Sequence, residues 1–420
     1  MENNKKNKSG YFLAGVATGA FAIAMLAAFI YLGFSVQKYV QALQDKSQGG
    51  SSITGSAGEL VDSELTSKLS TLETIIEKYY YQDDVSKEDL ETGIYRGMMD
   101  AVGDPYTVYY TPEEIQELYQ QTEGVYYGIG AYVALDETTN RTKIVSPIPG
   151  TPAEEAGLRA DDILYEVDGV DTYDMDINSV VALIKGEEGT TVSLTIYRAG
   201  EPDFIYVDVM RRKVEAPTVE FEMLEDGMAY IQITEFDEVT VDQFAEALAE
   251  ARASEMEGLI IDVRANPGGS LDAVVNICQM LLPEGMIVYT EDKYGSRSEY
   301  TCDGKKEFDL PLVLLVDGNS ASAAEIMAGA IQDYGIGTLV GTTTFGKGIV
   351  QQVVNLRDGS AVKITVSSYY TPSGRNIHGT GIDPDVEVIF DGERYYSEEA
   401  FDNQLDKAKE VLRELIEKSK

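Results

Sequence analysis

"LPLVLLVDGNSASAAEIMAGA", residues 310–330, joins an apolar run to a polar turn and then to a row of small residues. The run reads as a buried strand and the small residues as the start of a helix. The scheme repeats upstream in "GLIIDVRANPGGSLDAVVNICQMLL", residues 258–282. Further upstream, "GMAYIQITEF" (227–236) reads as a strand and "TVDQFAEALAEARA" (240–253) as an amphipathic helix. Apolar strands that alternate with helices predict an α/β domain with a partly parallel sheet under helical cover. Functional groups in such sheets lie at the carboxyl ends of the strands. "NPGG" (266–269) and "NSASAAE" (319–325) both occupy that place.

Two serines, Ser320 and Ser322, therefore stand where a nucleophile would. A serine needs a base to attack an acyl carbon. The chain has one histidine, His378, in the glycine-rich "TPSGRNIHGTGIDPD" (371–385), so a Ser-His-Asp triad would rest on it alone. The other base used with serine is lysine. "TFGKGIVQQ" (344–352) sets Lys347 between two glycines, 25 residues after Ser322 (347 − 322). A free lysine, with a pKa of about 10.4, is almost wholly charged at neutral pH. Burial is what frees such an amine to act as a base.

Composition excludes several functions. A net charge of −39 over 420 residues repels a phosphate backbone and argues against a nucleic-acid partner. The acid itself reads as a solvated surface. Cys278 and Cys302 are too few for a disulfide framework or a metal cluster, and no metal or other cofactor is expected.

Residues 11–36, "YFLAGVATGAFAIAMLAAFIYLGFSV", carry no charge and are long enough to span a bilayer. Lys5, Lys6 and Lys8 precede this stretch. They predict a cytoplasmic tail (1–10), an anchor (11–36) and a body outside the membrane, extracellular or periplasmic. A signal peptide cleaved near "AMLAA" (24–28) is the alternative. A Gly/Ser linker (37–59) leads to an N-terminal helical region (60–122). Its helices begin at apolar spacing from Leu65, at the cap Ser86, and at Thr111 followed by Pro112.

Residues 123–212 change to short strands with two helices, "TPAEEAGL" and "DINSVVALIKG". This segment resembles a PDZ domain. Tyr127-Gly128-Ile129-Gly130 matches the carboxylate-binding loop of that family, where backbone N–H groups face one anion and a strand edge adds a peptide. Ile177, Val180, Val181 and Ile184 divide between groove and core.

Outside this segment stand the motifs "NSASAAEIMAGAIQDYG", "GTTTFGKGIVQ", "IIDVRANPGGSLDAVV", "GDPYT" and "TPSGRNIHGTGIDPDV", which match a second known family in their order along the chain. From about Leu60 onward the chain resembles the carboxy-terminal processing, or tail-specific, serine proteases. The resemblance implies a crotonase-like catalytic domain (213–390) with an inserted PDZ domain. It implies an endopeptidase acting near substrate C-termini through a Ser-Lys dyad and an acyl-enzyme. By the same resemblance Ser322 is the nucleophile, Lys347 the base, and Gln351 the residue that orients it. Ser320 is read as a structural hydroxyl. The oxyanion hole falls to the backbone N–H of Ala323 and of Gly268 or Gly269. Protein substrates with free C-termini, captured by the PDZ loop, are the implied partners. A PDZ scaffold with a silent protease domain is the alternative, and a crotonase-like acyl-CoA enzyme a more distant one. The C-terminal segment (391–420) holds an amphipathic helix with Leu405, Ala408, Val411, Leu412 and Leu415 on one side. It is expected to pack on a neighbour, with a second copy in a homodimer as one option.

Overall fold

The computed structural model describes residues 60–82, 85–397 and 400–420. The expected tail, membrane anchor and most of the linker lie outside the described residues. Among the described residues no helix is long and apolar enough to cross a membrane. The described residues fall into two units, one ending at Pro105 and one running from Tyr106 to Lys420.

In the first unit the helices Ser63–Tyr79 and Lys87–Asp100 start where the sequence signals them. Asp62 caps the first by accepting from Leu65 N–H, and Ser86 caps the second by accepting from Asp89 N–H. The third helix, Pro112–Glu123, belongs to the second unit rather than with these two. It begins with a capping box between Thr111 and Glu114.

The second unit is built on a six-stranded sheet. Its order is Val219–Met223, Met228–Ile233, Gly258–Asp262, Leu312–Val316, Thr338–Gly341 and Val386–Glu387. Only the first pairing is antiparallel. The strands Gly258–Asp262 and Leu312–Val316 are buried along their whole length, which is why they read as unbroken apolar runs. Alternate side chains serve opposite faces. Leu259, Ile261, Leu312, Leu314 and Val316 pack with the helices Glu238–Ala253, Leu271–Cys278 and Ala323–Tyr334. Ile260, Val313 and Leu315 pack with Ala408, Leu412 and Ile416 of the helix Asn403–Ser419. The neighbour on which the apolar stripe of that C-terminal helix packs is thus the chain's own sheet. Arg264 fastens it there. Its guanidinium bonds Asp262 at the strand end and Asp402 at the helix N-cap, 2.6 and 2.8 Å away.

A second, antiparallel sheet contains Val108–Tyr110, Ala361–Tyr370, Gly285–Asp292 and Arg297–Cys302, with Ile349–Asn355 also paired to Ala361–Tyr370. Cys278 and Cys302 are both free thiols in the core. The inserted domain leaves and returns through a two-stranded ribbon, Val125–Gly128 against Arg212–Glu215. Tyr127 and Gly128, expected in a loop, lie in this ribbon opposite Lys213 and Arg212. Beyond it an antiparallel sheet and the helices Pro152–Glu155 and Ile177–Ile184 enclose a separate core of Ile144, Leu164, Val180, Val192 and Ile196.

Candidate active site

Ser322 is the N-cap of the helix Ala323–Tyr334, with φ 54° and ψ −110°. A side chain rarely adopts this backbone, and holding it costs about 1–3 kcal/mol. Surrounding bonds impose it. Ser322 N–H donates to Glu325 Oε2 at 2.9 Å, and its carbonyl accepts from the Tyr369 hydroxyl at 3.0 Å. Tyr369 is buried, and that burial, with Glu325 nearby, pushes its phenol well above the ordinary value. Ser320 is committed elsewhere. Its buried hydroxyl donates to the Val263 carbonyl at 2.7 Å and accepts from Asp317 N–H at 2.9 Å.

Glu325 joins the serine turn to the lysine turn. Its side chain is fully buried and accepts four hydrogen bonds. Oε2 takes Ser322 N–H and Lys347 N–H, the latter at 2.8 Å. Oε1 takes Gly346 N–H at 2.7 Å and the Thr344 hydroxyl at 2.6 Å. The segment around His378 braces the lysine turn from behind. Gly379 N–H donates to the Gly346 carbonyl and Ile382 N–H to Thr344 Oγ1, both at 2.8 Å. A Cβ on Gly348 would stand 2.7 Å from the His378 backbone nitrogen, so only glycine lets the two loops approach this closely. The His378 imidazole itself is exposed. Lys347 Nζ rests over the Tyr106 ring, 4.4 Å from its centroid. Gln351 follows a β-bulge at Val350/Gln351, a device that re-aims a side chain. Its amide donates to Thr365 Oγ1 at 3.3 Å.

The loop after Gly258–Asp262 reaches the same place. Gly268, at φ 107°, lies against the serine turn: a Cβ there would come 2.7 Å from Ser322 Cβ and 3.0 Å from Ala323 N. Gly268 N–H already donates to Asn266 Oδ1 at 2.8 Å. Among the described residues the N–H groups of Gly269 and Ala323 have no acceptor. Ser322, Ala323, the Gly268-Gly269 loop and the Lys347 turn are therefore assembled together.

The Tyr127–Gly130 segment belongs to a distinct groove. A narrow pocket there is lined by Tyr126, Gly128, Ile129, Ala131, Val181 and Ile184, among others. Val180 turns into the inserted domain's core, while Val181 lines the groove and Ile184 touches both. Lys185, just past the helix, stands at this pocket with its Nζ 5.6 Å from the Tyr126 ring centroid.

Residues 227–388 match peptidase family S41, residues 143–198 match a PDZ domain, and residues 23–114 match the N-terminal domain of the activating protease CtpB. The carboxyl-terminal-processing protease of Synechocystis sp. is 36% identical over 317 residues, 74% of this chain and 74% of that one. The carboxy-terminal processing protease CtpA of Bacillus subtilis is 35% identical over 341 residues, 81% of this chain and 72% of that one. The chain belongs to peptidase family S41. It is a serine-type peptidase among the carboxy-terminal processing proteases. A putative S41 protease from Bacteroides fragilis shares its fold, with a TM-score of 0.50 at 16% identity over 81% of this chain and 96% of that one.

Sequence reasoning about this S41 peptidase missed Glu325 as the link between the two turns. A signal was present, since serine followed three residues later by glutamate is the spacing of a capping box. Tyr369 and Asn266 gave none. Their contacts depend on tertiary packing that no local pattern records.

Proposed function

We propose that this S41 peptidase is a membrane-anchored endopeptidase that cuts protein substrates near their C-termini by a Ser-Lys mechanism. The observation that supports it most is the single Glu325 oxygen that accepts both Ser322 N–H and Lys347 N–H. It fixes the backbones that bear a nucleophile and a base against each other. In this reading the Lys347 ammonium leaves the Tyr106 ring, where a cation–π contact favours its charged form, gives a proton to solvent, and as the neutral amine takes the Ser322 Oγ proton. Oγ bonds to the substrate carbonyl carbon, and the oxyanion is held by the N–H groups of Gly269 and Ala323 at the helix N-terminus. The C–N bond then breaks, and the lysine ammonium returns the proton to the leaving amine. Water, activated by the same amine, hydrolyses the acyl-enzyme. Gln351 steers the lysine once its amide is released from Thr365. Residues 11–36 anchor the chain with its N-terminus in the cytoplasm and its catalytic body outside.

The test compares two substitutions at constant pH. Lys347→Ala is expected to lower kcat/KM by at least about a thousandfold, as loss of a base that acts with its nucleophile does. His378→Ala keeps activity within about tenfold, because the imidazole is exposed and only its backbone braces the loop. Equal losses from the two would restore the histidine as base and refute the dyad.

The PDZ groove supplies the substrate end in this proposal. Ile129 and Gly130 N–H groups have no acceptor among the described residues, and Lys185 adds a positive charge at the same pocket. A peptide with a free C-terminal acid is expected to be cleaved about ten- to a hundredfold faster, in kcat/KM, than the same peptide as an amide, from a charged hydrogen bond of about 1.5–3 kcal/mol. Identical rates would remove tail capture and leave the chemistry at Ser322 untouched.

A further inference from the structure

A cavity of about 970 Å³ lies where the helix Pro112–Glu123, the helix Ile177–Ile184 and the turn 235–237 meet. At one end it shares Tyr126, Val181 and Lys185 with the carboxylate groove. At the other end it is lined by Glu235 and Asp237. Those two acids flank Phe236, whose backbone pairs with the candidate oxyanion loop. Phe236 N–H donates to the Gly268 carbonyl at 2.8 Å, and Ser270 N–H to the Phe236 carbonyl at 2.6 Å. The cavity thus abuts the PDZ groove at one end and, through the backbone bonds of Phe236, the loop beside Ser322 at the other.

The wall is also polarised. Lys185 is a cation at the PDZ end, and Glu117, Glu235 and Asp237 are acids on the remaining sides. Asp237 is only 4% exposed, lines the cavity, and forms no ion pair with a cation among the described residues. Its burial, reinforced by the charge of Glu235, pushes its carboxyl up to about 7. Asp237, poorly solvated and beside the exposed Glu235, gains when a cation enters between the two carboxyls. A lysine or arginine side chain is the cation that a polypeptide lying along this wall can bring.

We infer that Glu235 and Asp237 form a subsite for one basic side chain of the substrate, between its captured C-terminus and the bond to be cut. The inference rests on the reading that the PDZ groove holds the tail. Specificity follows from it: substrates with a lysine or arginine at that one position bind ahead of neutral ones, and those with an acid there are rejected.

The test measures binding, so that it does not depend on turnover. Fluorescent peptides with a free C-terminal acid are titrated by anisotropy against the full chain carrying Ser322→Ala. Lysine, norleucine and glutamate are placed at each position in turn. Lysine is expected to bind about tenfold tighter than norleucine at one position, between the small value of a surface pair and the larger one of a buried pair. Adding Glu235→Gln and Asp237→Asn brings that ratio to within about twofold. Asparagine keeps the N-cap of the helix Glu238–Ala253, so the variant retains its fold. A lysine-to-norleucine ratio near one at every position overturns the subsite, as does a preference that persists in the double substitution. The acid-to-amide ratio of the same peptides reports tail capture separately. A charge preference without an acid preference upholds Glu235 and Asp237 as the binders of a basic side chain and overturns its placement next to a captured tail.

Discussion

Ser322→Ala is expected to abolish peptide cleavage, with a loss of at least about ten-thousandfold in kcat/KM, the range seen when a serine nucleophile is removed. The fold persists, because the bonds that shape the turn come from the Ser322 backbone and not from its hydroxyl. Ser320→Ala gives the opposite profile. It removes the 2.7 Å donor to the buried Val263 carbonyl and the acceptor of the half-buried Asp317 N–H, so it is expected to lower stability by about 1–3 kcal/mol while part of the activity remains. Steady-state kinetics on one peptide, paired with thermal melts of both variants, separates the two. Appreciable turnover by Ser322→Ala would end its assignment as the nucleophile.

Glu325→Gln is expected to cost at least about a hundredfold in kcat/KM together with a clear fall in Tm. Each oxygen of Glu325 faces two donors. Glutamine must turn its NH2 toward one of those pairs, so donor meets donor whichever way the amide is set. If the amine faces Ser322 and Lys347, the contact between the two turns is lost. If it faces Gly346 and Thr344, the lysine turn loses its hold. Glu325→Asp keeps the charge but withdraws it by one methylene, and falls between. Unchanged kinetics and melting in Glu325→Gln would show that the turns are held without it.

The buried strands were legible because both of their faces are covered, so that no polar alternation interrupts "LIID" or "LVLLV". The helix starts at Ser86 and Thr111 were legible because capping is local chemistry. Ser322 and Lys347 were reached by elimination of the lone histidine and by motif. Their relation was not, since it passes through a carboxyl group that bonds residues 19 to 22 positions away. The choice between Gly268 and Gly269 also lay beyond the sequence, because it turns on which N–H the Asn266 side chain occupies. The C-terminal stripe revealed that the last helix is buried on one side, but not that the sheet of the same chain supplies the other surface.

The helix Asn403–Ser419 makes the cutting edge depend on a distant part of the chain. Ala408, Leu412 and Ile416 cover Ile260, Val313 and Leu315, the reverse side of the two strands whose ends lead to Gly268 and Ser322. Arg264, four residues before Gly268, is held by Asp402. Without residues 402–419, one face of the sheet is bare and the loop that leads to Gly268 lacks its far tether. Folding of the segment 402–419 and completion of the loop beside Ser322 are therefore one event. A peptidase finished from so far along its chain is not armed while that chain is still unfolded.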